Sequence, residues 1–191
     1  MGQRLIMNIH KNRGEEPIIN VYYHWSAYSR SAYCEAQDFI NAYDSIEKTG
    51  VLETDIIRAL ENIGARVEIE DRQYVHEQLG FEPLEDNLDS NKGLIALSEE
   101  QRLTNLDYAE GEIQIFMNDK DIDNLCFWEE NETEFYEMHD EDKIIEIPQI
   151  DDLEYTTFDD LEVTLYTLDN MTRSNIYQYR NMNNRIISLI E

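Results

Sequence analysis

Four acidic side chains in the stretch DKDIDNLCFWEE carry the spacing of a calcium loop. Asp119, Asp121, Asp123 and Glu130 fall at its first, third, fifth and twelfth positions, where oxygen ligands gather round a hard cation. Asn124 stands where such a loop turns sharply on glycine, and Asn enters the left-handed region more readily than most residues. The flanks argue the other way: a calcium loop of this type needs a helix on each side, and EIQIFM before it alternates like a strand. The stretch therefore reads as an acidic turn within a β-hairpin, with a divalent-metal module or metal-dependent enzyme as the competing reading. No cofactor is implied elsewhere.

A second candidate is YYHWSAYS, which gathers Tyr22, Tyr23, His24, Trp25 and Tyr28 within seven residues. His24 as a general base beside Ser26 or Ser29 would suggest a hydrolase. No partner acid, nucleophile elbow or glycine-rich loop accompanies it, so aromatic packing at a strand-to-helix junction is the better reading. Cys34 has no histidine at a motif spacing and is expected as a packed thiol. His139 sits among carboxylates in MHDEDK, a pattern usual for a solvated charge run. No catalytic residue emerges.

Most of the chemistry is electrostatic. The chain has 191 residues and a formal charge of −27, from 42 acids and 15 bases. Residues 99–162 hold 23 of the acids and 3 of the bases, so most of the excess lies in a third of the chain. Such clustering is unlike the evenly acidic surface of a salt-adapted protein, and it attracts cationic partners.

The densest part is Glu134–Glu162, with twelve acids and one base, Lys143. Glu134, Glu137, Asp140, Glu141, Asp142, Glu146, Asp151, Asp152, Glu154, Asp159, Asp160 and Glu162 are interleaved with Ile145, Ile147, Tyr155 and Phe158. Duplex DNA carries one charge per ~1.7 Å of axis. Carboxylates on alternate residues of an extended chain recur about every 6.6 Å, and adjacent pairs such as Asp151/Asp152 and Asp159/Asp160 can accept bidentate arginine. The apolar residues would fix those charges on a surface, and Tyr155 and Phe158 could serve as anchors in an interface. A disordered acidic tail or an ordinary solvated face would explain the acids alone.

The elements that would hold these residues follow from periodicity. RLIMNIH and PIINVYYHW, separated by KNRGEE, predict a hairpin. Ala32, Tyr33, Ala36, Phe39, Ile40, Tyr43 and Ile46 predict a helix capped by Ser29 or Ser31 and ended at Gly50. ETDIIRALENIG predicts a second, with Thr54 as cap, Ile56, Leu60 and Ile63 as stripe and Gly64 as stop. A short helix in DRQYVHEQLG, a strand in GLIALS and a helix capped by Ser98 follow. EIQIFM then pairs back, with Leu125 and Phe127 expected opposite Ile113, Ile115 and Met117. Beyond lie short strands such as KIIEIP, a helix capped by Thr157 and a C-terminal helix with Ile176, Tyr179, Met182, Ile186 and Ile190 on one stripe. The fold class is α+β: an N-terminal β-hairpin, helices, further short strands and a C-terminal helix. The expected organisation is an α+β body over 1–130 and an acidic segment with the C-terminal helix over 131–191, packed on the body or extending from it. No run of eighteen apolar residues predicts a membrane span, the N-terminus lacks a secretory pattern, and two cysteines suit a reducing cytoplasm.

GQRL, NVYYHWSAYS and NKGLIALSEEQ resemble a group of small proteins encoded by phages and prophages of Gram-positive bacteria. The resemblance covers about the first 130 residues and transfers no catalytic residue. It implies a phage accessory gene acting in the host cytoplasm, and such genes often encode inhibitors of host defence. Together with the acid run, it leads to the expectation of a non-enzymatic inhibitor of anti-CRISPR type. Such a chain would mimic nucleic acid in the cationic channel of a host defence nuclease, a CRISPR effector above all, without itself binding nucleic acid or membrane. A phage structural or assembly protein is the remaining alternative.

Overall fold

The two β-rich segments at the start of the chain form the hairpin their pattern predicts. In the computed structural model, which describes residues 3–85, 88–126, 154–159 and 161, β1 (Leu5–His10) and β2 (Ile19–Tyr23) run antiparallel with Met7 opposite Val21. Helices α1 (Ser29–Ser45) and α2 (Leu52–Asn62) follow, then the two-residue strand β3 (Arg66–Val67). A 3-10 turn (Ile69–Asp71), the single-turn helix α3 (Arg72–Tyr74) and a π-helical turn (Val75–Leu79) run on from one another. Gly80, at φ 75°, ends them in the left-handed region. After β4 (Leu94–Ala96) come α4 (Glu99–Leu106), β5 (Gly111–Phe116), β6 (Asp121–Asn124) and β7 (Glu154–Thr157).

The described strands make one mixed sheet in the order β3-β4-β2-β1-β5-β6-β7. β1 is central: it pairs antiparallel with β2 and parallel with β5, and all six of its residues are buried. A strand with neighbours on both edges is covered on both faces, so even its polar Asn8 and His10 are buried. Leu5, Met7 and Ile9 alternate toward one face. There they join Val21, Tyr23, Ile95, Ile113, Ile115 and Ile122 in a single buried cluster with Tyr33, Phe39, Ile56 and Leu60 of the two long helices. The class is α+β.

The apolar stripes of α1 and α2 pack as their spacing predicts, but the caps differ. The residue before α1 is Tyr28, with no side-chain cap, and the helix stops at Ser45, well short of Gly50. Ile46 turns extended there and lies partly buried against the core, so its burial ends the helix before glycine is reached. In α2 the cap position is Val51, and Thr54 lies buried inside the helix. The carboxylate of Asp55 instead reaches back to the turn before the helix, accepting the Thr49 N–H and hydroxyl at 2.8 and 2.7 Å. Ser98 is the expected cap of α4, its hydroxyl accepting from the Gln101 N–H.

Cys34 is a correction. It lies between stripe positions on the outer side of α1 and is exposed. Leu125 is another: it falls beyond β6 and is 40% exposed. Ile122 sits opposite Ile115 instead, because the turn is shorter than the expected pairing required. Phe127 lies outside the described residues, as do KIIEIP and the C-terminal stripe.

Candidate functional site: an acidic sheet edge

The acidic turn is a β-hairpin. β5 and β6 pair antiparallel, Phe116 opposite Asp121 and Gln114 opposite Asp123, with Lys120 at φ 53° making the turn. Its carboxylates face an arginine from the β1–β2 loop. The Arg13 N–H donates to Asp119 at 2.8 Å, its Nη2 donates to Asp123 Oδ1 at 2.8 Å, and its Nη1 donates to Asp123 Oδ2. Asp121 lies 3.6 Å from the same guanidinium, and the ring of Phe116 lies 4.2 Å beneath it. These partners raise the Arg13 pKa, hydrogen bonding to Asp123 being the largest cause. A guanidinium thus occupies the space that a cation in the competing reading would need. Among the described residues no group of three acids, histidines or cysteines is arranged to hold a metal. Glu130, the twelfth ligand of that reading, lies outside them.

β7 opens the described part of the acid run. Its backbone pairs antiparallel with β6, Tyr155 opposite Asp123 and Thr157 opposite Asp121. The chain then turns helical at Phe158 and Asp159, the Phe158 N–H donating to the Lys120 carbonyl at 3.0 Å. Phe158 packs partly against the core, Leu161 is fully buried in it, and Asp159 is exposed. Residues 154–159 and Leu161 are therefore built into the same sheet and core as the body. Glu154 and Asp159 belong to this edge. Glu134, Glu137, Asp140, Glu141, Asp142, Glu146, Asp151, Asp152, Asp160 and Glu162 lie outside the described residues, as does His139.

In the aromatic motif His24 is bonded to Tyr22 and Ser26 to Glu35, with no bond between His24 and Ser26 among the described residues. Tyr22 Oη and His24 Nδ1 are 3.0 Å apart, and His24 meets Trp25 edge-on at 5.2 Å. Ser26 donates its hydroxyl to Glu35 at 2.9 Å, away from the imidazole. Burial pushes the Glu35 carboxyl up, while that bond partly opposes it.

One feature escaped the sequence reading. Asn20, Asn8, Gln114 and Asp123 stand in direct cross-strand register on β2, β1, β5 and β6. Alternation places them on the face opposite the apolar cluster. Asn20 donates to the Arg102 carbonyl and accepts from Asn105, tying α4 to that face, and Asn8 donates to Glu112 at 3.3 Å. His10, on the same face, bonds the Glu15 carbonyl through Nδ1 at 2.7 Å, and burial lowers its pKa. The signal was present as polar residues at alternate positions of otherwise apolar strands, Asn8 and His10 in LIMNIH.

No protein-family model matches the chain, and no match was found among curated proteins or solved structures.

Proposed function

We propose that the chain is a non-enzymatic inhibitor of phage origin that places an acidic edge in the cationic nucleic-acid channel of a host defence nuclease, a CRISPR effector being the class. The single observation that carries this reading is β7: a segment of the acid run is hydrogen-bonded into a seven-stranded sheet as its last described strand. A tail that only solubilised the protein would need no such anchoring. Charges on a segment anchored in this way would be held at set spacings, as on a sugar–phosphate backbone, so a basic groove could match them without first ordering them. The clustered charge of residues 99–162 supports the same polarity of partner. The sequence resemblance to phage accessory proteins supports the setting.

The test is charge reversal. Changing Asp151, Asp152, Asp159 and Asp160 to Lys is expected to abolish inhibition of the nuclease while the melting temperature of the body holds. Inhibition that survives this change at ordinary salt sinks the reading. Capture of phage virion components in place of a basic nucleic-acid-binding protein would favour an assembly role.

A further inference from the structure

Beside the acidic edge lies a cleft of about 330 Å³ between α1, the β5–β6 turn and the helical turn after β7. Its size is at the low end of small-ligand sites, suited to one side chain. Ile40, Met117 and Phe158 supply apolar wall, and Gln37, Asp44, Lys120 and Asp159 supply polar groups. Gln37 uses its amide N–H on Asn41 at 2.9 Å, yet its Oε1 is buried with no hydrogen-bond partner. A buried acceptor without a donor costs free energy until a donor arrives. Asp44 and Asp159 come from separate elements and both are exposed at the rim.

We propose that this cleft is a socket for one arginine side chain of the partner. The ligand must combine an apolar stem, for Ile40 and Met117, with a cationic head carrying several donors. A guanidinium meets both demands: its fork can serve a carboxylate and the Gln37 oxygen together, and its flat face can lie on Phe158. The described residues already use this chemistry, Arg13 pairing with Asp123 over Phe116 and Arg4 with Glu110 beside Tyr108. A neutral polar ligand would leave Asp159 unanswered, while Asp44 feels only the Lys48 ammonium outside the cleft. Among the lining residues an anion would meet two carboxylates against a single ammonium, Lys120. That ammonium competes with the incoming cation, so it weakens binding and does not create it.

The inference rests on the reading under Proposed function, since the partner's basic groove supplies the arginine. It can nevertheless be tested without any partner. The full chain is titrated with N-acetyl-L-arginine amide, following the side-chain amides of Gln37 and Asn41 by NMR, with N-acetyl-L-citrulline amide as the uncharged control. Saturable shifts of both amides are expected with the arginine probe only. Asp44→Asn or Asp159→Asn should weaken binding about tenfold, the scale of one charge-assisted hydrogen bond. Lys120→Ala should strengthen it, which a structural role for the lysine would not produce. Equal binding of citrulline, or no saturable shift in wild type and in Lys120→Ala, overturns the socket. If the probe binds but the nuclease is not inhibited, the socket stands and the mimic reading falls. If the probe fails while charge reversal still abolishes inhibition, the reverse holds.

Discussion

Replacing Arg13 with Met should measurably loosen the sheet, because Arg13 ties the β1–β2 loop to β6. The side chain of Asp123 is 6% exposed and that of Arg13 42%. Deleting one member of a fully buried, hydrogen-bonded pair costs about 3–5 kcal/mol, whereas exposed pairs contribute about 0–1 kcal/mol. With one partner buried and the other half in water, the expected loss is about 2 kcal/mol, part of it from the cation–π contact with Phe116. In a chain of this length, that corresponds to a fall in Tm of about 4–8 °C. Methionine keeps the apolar stem over Phe116, so the charge and its hydrogen bonds are what is removed. Urea unfolding followed by circular dichroism reads the change, and a cycle with Asp123→Asn isolates the pairing. The double variant should recover part of the loss, since no buried charge is then left alone. A loss under about 0.5 kcal/mol, or strict additivity, refutes the clamp. Millimolar calcium should leave the wild-type Tm unchanged, and a calcium-dependent rise would reinstate the metal reading of Asp119, Asp121 and Asp123.

Asp71 is buried and accepts the backbone N–H groups of Leu97 at 2.7 Å and Ser98 at 3.2 Å, joining the 3-10 turn to the start of α4. Asp71→Ala strands those donors and should cost about 2–4 kcal/mol in urea unfolding, whereas a value near zero would mean that water replaces the carboxylate. Glu35, Glu53, Glu61 and Glu68 all have carboxyl pKa values raised chiefly by burial. Each therefore binds its proton more tightly in the folded chain, and the stability it contributes is lost as pH rises from the ordinary glutamate value of 4.5 through the folded value. Asp55 acts in the opposite sense: burial pushes it up, but the Thr49 and Gly50 bonds outweigh that and lower it. Asp55 has finished titrating below this range, but His10, whose pKa burial lowers, opposes the glutamates within it. With four carboxyls against one imidazole, calorimetry should show a higher Tm near pH 5 than near pH 8, and a Tm that climbs steadily with pH would contradict this balance.

Much of this fold can be read from short-range pattern. Alternation in LIMNIH and INVYY, and the three-and-four spacing of Ala32, Tyr33, Ala36, Phe39 and Ile40, express burial directly, and burial is what sets these elements. Caps were less legible, because several residues compete for each orphan N–H and the winner depends on contacts distant in sequence. Asp55 answers Thr49, and Ile46 leaves its helix to reach the core. The parallel pairing of β1 with β5 spans about a hundred residues and leaves no local mark. The same holds for Arg13, whose acidic partners lie 106 and 110 residues away, so the calcium-like spacing could not reveal the cation already there. The cleft combines α1 with Lys120 and Asp159, a juxtaposition that only the sheet order creates.

The salt dependence of partner binding tests the central claim most directly. A charge mimic replaces phosphates by carboxylates, and its complex with a basic channel must weaken as ions screen it. The logarithm of the full chain's affinity for a CRISPR effector nuclease, measured directly by calorimetry without DNA from 50 to 400 mM salt, should fall steeply and linearly with log salt. An affinity that is insensitive to salt across that range would contradict the account.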